Sequence, residues 1–371
     1  MSDGTPPPFP DDVPTVPLLV IDYALLRAGD EHEIDCLWKA ATELGFWYLK
    51  NHGTDSEVDA MFEMGAHTMA LPLEEKMRFK RGDGGDSFGY KFAGSNATDA
   101  SGALDSVEHI IVSQDDALAF PTVVHRRYPR TVEERMNSVV RPFVRKSMEV
   151  NQTIMSVLND RLGLPPGCLS ELHAPLEYSE SEASCIKKTP ASTPEPPNKA
   201  AIGAHTDYGS LSFLHNRLGG LQFLLPGTDE WKYVKPMPGH AICTIGDVMA
   251  IFSAGIFHSN LHRVVPEPDL ASWVPICRPP PKAQATFDRW SLVFFACPKN
   301  SVSLAPLIKE STLIAEAAAR APEGRYATGS TAGEWFRRRV QNQIIKNQRM
   351  RPVKGTETWM ASRGTEHTEV Y

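Results

Sequence analysis

His205 and Asp207 are separated by one residue in GAHTDYG, and on an extended strand that spacing sends both side chains to the same side, with Thr206 pointing away. A converging imidazole and carboxylate can bind a divalent transition metal. A second imidazole from elsewhere would complete the two-His, one-carboxylate face that leaves three positions of iron(II) open to a co-substrate and oxygen. The segment FHSNLHRVV offers His258 and His262 for that place. They have the same parity, so strand alternation does not choose between them. Alone, the H-x-D triplet is a weak signal, because a solvated His beside an Asp in a turn is the commoner case. His52 in NHG reads as a turn and packing residue, and His215, His240 and His258 as surface or loop histidines.

These residues need strands to hold them, and the texture beyond about residue 200 supplies strands. Short apolar runs at Ser210–Phe213, Leu221–Leu225, Trp231–Val234, Ala241–Ile245, Val248–Ser253, Leu261–Val265 and Ser291–Phe295 are separated by Gly, Pro and Asp, the rhythm of an antiparallel sandwich or barrel. The N-terminal part reads as mostly helical. Asp30 and Glu33 form a capping-box pattern before Ile34, Leu37, Trp38, Ala41 and Leu44, and Gly45 can end that helix before the strand-like Phe46–Leu49. Ser56 can cap a second helix, and Thr131 with Glu134 opens a long one interrupted by Pro142. Near the C-terminus, Thr331 with Glu334 opens a helix whose Trp335 and Phe336 can pack inward while Arg337, Arg338 and Arg339 stay solvated. Ser179–Ala200 and Pro266–Asp288, rich in Pro, read as loop insertions.

The bulk numbers narrow the partners. Lys and Arg number 38 against 45 Asp and Glu, giving a formal charge of −7 that argues against nucleic acid. The chain of 371 residues, 42% of them hydrophobic, can bury a substantial core. Six cysteines without a C-x-x-C pair fit neither a disulfide framework nor a thiolate zinc site. The acidic, Pro-rich start MSDGTPPPFPDD lacks a signal-peptide pattern, and no apolar stretch approaches a membrane span, so a cytoplasmic protein with a disordered leader over residues 1–13 is expected.

Several blocks taken in order resemble the iron(II)/2-oxoglutarate dioxygenases of the isopenicillin N synthase-like superfamily, from about Val16 through Val293. They are GFWYLKNHG, LPLEEK, FGYKFAG with the later Glu108, HTDYGSLSFL, GGLQFL, the series Trp231, Val234, Pro236, Pro238, Gly239, then IGD and LHRVV. The resemblance implies a mainly β fold: a double-stranded β-helix, or jelly-roll, core with flanking helices, a helical N-terminal region and a C-terminal helix. It divides the chain into an N-terminal dioxygenase region over 14–125, a helical connection over 126–178, the catalytic core over 179–310, and a C-terminal helix and tail over 311–371. It also selects His262 over His258 as the distal ligand and implies Fe(II), 2-oxoglutarate and O2 as cofactors. Arg289 and Ser291 in RWSLVFF are similar to the pair that holds the far carboxylate of 2-oxoglutarate, a task suited to a planar guanidinium.

Two departures stand out. Where many relatives carry Asn-x-Tyr before the first metal ligand, this chain has SCIKKTP, which would place Lys187 and Thr189 beside the co-substrate. Arg289 follows His262 by 27 residues, against about ten in most relatives, and the excess reads as a lid or loop insertion at the pocket mouth. The expected activity is oxidation of a small organic molecule by hydroxylation, desaturation or cyclisation in secondary metabolism, with release of succinate and CO2. The rival expectations are an isopenicillin N synthase-like oxidase that does not use 2-oxoglutarate and a non-catalytic small-molecule-binding module. Succinate formation coupled to oxygen use separates them.

Overall fold

Phe46, Trp47, Tyr48 and Leu49 put apolar side chains on both faces of one strand, so both faces must be covered. In the computed structural model, which describes residues 7–346 apart from 12, 100, 176, 191–199, 266–283 and 285, Trp47 and Leu49 face a layer of helices. Phe46 and Tyr48 face a second sheet. The strands in chain order are β1 (Val20–Asp22), β2 (Phe46–Lys50), β3 (Gly89–Lys91), β4 (Glu108–Ser113), β5 (Glu182–Lys188), β6 (Ile202–His205), β7 (Leu211–Asn216), β8 (Leu221–Leu224), β9 (Trp231–Tyr233), β10 (His240–Ile245), β11 (His262–Val264) and β12 (Arg289–Ala296).

The larger sheet runs β1-β2-β10-β7-β12-β5-β4-β3 and the smaller β6-β11-β8-β9. Apart from the parallel β1/β2 pair, neighbouring strands are antiparallel. This is the expected jelly-roll core. Between the sheets, Ile186 and Val293 pack with Leu221, Phe223 and Val264. The outer face of the larger sheet carries the helices Asp55–Met69 and Arg141–Arg161 over the main core. The N-terminal region is less separate than its helical texture suggests, because β1 to β4 extend the same sheet at both ends.

Local signals worked where they were chemical. Asp30 accepts the Glu33 N–H as helix cap, and Thr331 with Glu334 closes a full capping box. Gly45 ends the first of these helices at φ +71°, where a Cβ would lie 1.9 Å from the His258 carbonyl oxygen.

Some expectations need correction. Val248–Ser253 is not a strand: Asp247–Phe252 is a helix in which all six residues are buried, and a run apolar on every side has no period from which to read its type. The run expected to open at Thr131 begins at Arg130 behind Pro129, and Pro142 lies where its π-helical stretch Met136–Val140 gives way to the helix Arg141–Arg161, so the interruption expected there is a change of hydrogen-bonding pattern rather than a break. Ser56 is not the cap of the second helix, which starts at Asp55 behind Thr54. The leader is ordered in its described part, because Phe9 and Val13 give it apolar anchors against Tyr233 and the Pro7 carbonyl accepts from Gln284. Most of the 266–288 insertion, with the expected lid, and residues 191–199 of the other lie outside the described residues. Among the described residues no helix is long and apolar enough to cross a membrane.

Candidate active site

β6 ends at His205 and Asp207 follows just beyond it, while β11 begins at His262, directly opposite His205 in the ladder. That register brings two imidazoles together from strands far apart in sequence. Asp207 Oδ1 lies 3.4 Å from His262 Nε2 and 3.9 Å from His205 Nε2, and one ligand atom from each residue falls within a 4.8 Å set. Neighbouring positions of an octahedral ion with bonds of about 2.1 Å are about 3 Å apart, so the three donors need only draw in slightly.

The orientation of each donor also fits a metal. His205 Nδ1 is 2.8 Å from the Gly203 carbonyl and His262 Nδ1 is 3.2 Å from that of Asn260. Each carbonyl takes an Nδ1 proton and leaves Nε2 as the electron-pair donor, the arrangement that fixes ligating histidines. Ser212 donates to Asp207 Oδ2, which leaves Oδ1 for the ion. Burial drives the His205 pKa down to about 4, aided by the neighbouring His262, so it stands neutral and ready to ligate. Burial opposes ionisation of Asp207, but the two imidazoles and the Ser212 hydroxyl outweigh it and hold its pKa at about 2. His258 is not among the converging donors, in keeping with the choice of His262.

Arg289 and Ser291 both face inward from β12. Arg289 Nε donates to the Gly219 carbonyl at 2.7 Å, Nη1 to Ser291 Oγ at 2.8 Å, and Ser291 Oγ to Asn216 Oδ1 at 2.6 Å. Burial lowers the guanidinium pKa to about 10, still well above neutrality. Among the described residues no carboxylate lies within 4.0 Å of it. A buried cation without a protein anion is costly unless a ligand supplies the anion, which fits a co-substrate carboxylate.

Lys187 and Thr189 are not in this site. β12 pairs with β5 so that Ser291 opposes Ile186 and Arg289 opposes Lys188, which puts the even-numbered residues of β5 on the inner face. Lys187 opposes Trp290 instead, lies 5.5 Å from its ring centroid, and pairs with Asp288 at 3.1 Å. Thr189 lies beyond the end of β5 and is exposed. The buried cation beside Arg289 on the inner face is therefore Lys188.

The Arg337–Arg339 run is not a uniformly solvated face. Arg339 is 1% exposed; its Nη1 donates to Asp247 Oδ2 at 2.7 Å and its Nη2 to Thr206 Oγ1 at 3.2 Å. It therefore clasps the residue between two candidate metal ligands, and its guanidinium lies 4.3 Å from the Tyr208 ring centroid. Helical spacing carried this signal, because Arg339 shares a face with Trp335 and Phe336. His215 is likewise not a surface residue: it is buried beside Phe213 and His52, and burial keeps it neutral.

A cavity of about 160 Å³ adjoins the triad. His205 and Asp207 stand in its wall, whereas Arg289 and Ser291 border it only through Ile186, the partner of Ser291. Phe336 and Val340 of the C-terminal helix close one side, and Arg81, Lys91, His109 and Glu182 line another.

Residues 18–138 match the non-haem dioxygenase N-terminal family named for morphine synthesis, and residues 181–298 match the 2OG-Fe(II) oxygenase superfamily. The chain is 33% identical over 286 residues to leucoanthocyanidin dioxygenase of Vitis vinifera, covering 72% of this chain and 74% of that protein. The chain belongs to the 2OG-Fe(II) oxygenase superfamily. This oxygenase is also 30% identical to gibberellin 20 oxidase 2 of Oryza sativa over 77% of its own length and 69% of that protein. Its fold is similar to that of a 2OG-Fe(II) oxygenase family protein from Caulobacter crescentus, with a TM-score of 0.66 and 21% identity over 91% of this chain and 99% of that one. The oxygenase is an Fe(II)- and 2-oxoglutarate-dependent dioxygenase that oxidises a small molecule, with O2 as the oxidant.

Proposed function

We propose that this dioxygenase holds its iron through His205 Nε2, Asp207 Oδ1 and His262 Nε2, and the far carboxylate of 2-oxoglutarate on Arg289 and Ser291. It would hydroxylate, desaturate or cyclise a small organic molecule of secondary metabolism in the cavity beside the triad. Bound iron and 2-oxoglutarate supply the oxidising chemistry, in which the keto acid is converted to succinate and CO2 as O2 is consumed.

The observation that carries this reading is the pairing of a three-donor face with a buried guanidinium that has no carboxylate within 4.0 Å among the described residues. Each chain residue has a distinct task. Gly203 and Asn260 fix the ring tautomers, Ser212 holds the spare oxygen of Asp207, and Asn216 orients the Ser291 hydroxyl. Arg289, held by the Gly219 carbonyl and the Ser291 hydroxyl, supplies a charged fork. Apolar neighbours such as Phe46, whose ring lies 5.4 Å from that of His262, exclude water from one side.

The test is succinate release with oxygen uptake by iron-loaded protein, measured beside bound iron by elemental analysis. Wild type should bind one iron per chain and form succinate, while Asp207→Ala, folded by circular dichroism, should lose both. Full iron loading and normal succinate release by Asp207→Ala would overturn the ligand assignment.

A further inference from the structure

The cavity wall to which His205 and Asp207 belong also contains two buried basic side chains with different surroundings. Lys91 is committed to the fold: it pairs with Asp105 and donates to the Val107 carbonyl at 2.8 Å. Asp105 in turn accepts the Gly94 and Asn96 amides, so this pair is a structural knot. Arg81 is not committed. Its one hydrogen bond from the side chain goes to the neutral Asn96 Oδ1 at 2.5 Å, and among the described residues no carboxylate lies within 4.0 Å of it. Its Nε and Nη1 make no hydrogen bond to the described residues, although the side chain is only 8% exposed and stands in the cavity wall.

The remaining groups do not cancel that charge. Glu182 lies further off and accepts from the Ser87 hydroxyl, and burial raises its pKa to about 8, which leaves it mainly protonated at neutral pH. His109 is half-buried, desolvation and the nearby cations hold it neutral, and it shares a hydrogen bond with Ser184. Burial lowers the Arg81 pKa only to about 10, so the guanidinium keeps its charge. Ile111, Ile202, Phe336 and Val340 supply apolar wall to the same cavity. A space of 160 Å³ compares with the roughly 150 Å³ that accommodates a benzene ring in an engineered apolar cavity.

We propose that Arg81 anchors the anionic group of the prime substrate, and that this oxygenase acts on a small organic acid: a carboxylate on an apolar body of about one ring, with its far end turned to His205 and Asp207. This rests on the site reading given above and adds the substrate class. A guanidinium fork matched to a carboxylate both binds and orients, so the carbon presented to the iron lies at the opposite end of the molecule from the acid.

The test uses matched probes on the iron-loaded, 2-oxoglutarate-saturated protein without oxygen: benzoate with benzamide, phenylacetate with phenylacetamide, and cyclohexanecarboxylate with its amide, each titrated by calorimetry. In at least one pair the acid should bind about tenfold or more tightly than the amide, as expected for a charged hydrogen-bonded pair, and Arg81→Gln should reduce that preference below about twofold. Affinity for 2-oxoglutarate should not change in that variant. Failure of wild type to bind 2-oxoglutarate would strike the cofactor assignment instead, and the acid and amide titrations are then made on the iron-loaded protein alone, with the same outcomes deciding the proposal. If Arg81→Gln does not fold, Arg81→Lys keeps the charge without the fork and should weaken the preference several-fold. Absence of an acid preference in all three pairs, or a preference that either folded variant leaves intact, overturns the proposal.

Discussion

The iron end and the cavity end of this site are built by different means. At the iron end, donors stand on or next to strands paired across a ladder, His205 opposite His262 and Ser291 opposite Ile186, so period two and register decide what converges. At the cavity end, Arg81 comes from the segment before β3, Glu182 from the start of β5, and Phe336 and Val340 from the last described helix. Strand geometry constrains the first set tightly and the second hardly at all. The proposed iron and keto-acid site therefore stands on or beside paired strands, while the proposed substrate anchor Arg81 stands outside them.

Four substitutions test that division, in falling order of effect. Asp207→Ala removes one of three ligands and should abolish succinate formation, below about 1% of wild type, with the fold intact; the check is a coupled succinate assay with circular dichroism. Arg289→Ala removes two charge-assisted hydrogen bonds and should raise the Kd for 2-oxoglutarate about a hundredfold, measured by titration without oxygen. Arg339→Met strands the fully buried Asp247, which keeps Ser259 and Thr206 as hydrogen-bond donors, so unfolding in urea should show a loss of about 3 kcal/mol. If the C-terminal helix holds the ligand strand as the Thr206 contact indicates, that variant should also bind iron less tightly. Lys187→Ala breaks a partly exposed pair on the outer face and should change stability by about 0.5 kcal/mol or less and 2-oxoglutarate affinity by less than about twofold. A large effect at Lys187 would mean that β5 is out of register.

The same division explains what the sequence revealed. The sequence pointed to His205, Asp207, Arg289 and Ser291 through period two and motif order, and to His262 over His258 through motif order alone; the fold brings His205, Asp207 and His262 together. Lys187 and Thr189 failed because a one-residue offset reverses the face of a strand, and no local feature of SCIKKTP sets its register against β12. Lys188 could be seen only once Arg289 had a partner strand. Arg339 was hidden in a basic triplet, although its spacing from Trp335 and Phe336 marked the inner face. Arg81 gave no signal at all, because its role depends on what it is not paired with, and that is a property of the fold. Val248–Phe252 misled for a related reason, since complete burial erases periodicity.

The central claim is that Arg289 serves the co-substrate and Arg81 does not. Iron-loaded wild type, Arg289→Ala and Arg81→Gln, titrated with 2-oxoglutarate without oxygen while the weak visible absorption of the chelated keto acid is followed, test it most directly. The expected result is a Kd about a hundredfold higher in Arg289→Ala and unchanged in Arg81→Gln. Equal weakening in both variants, or weakening in Arg81→Gln alone, would contradict it.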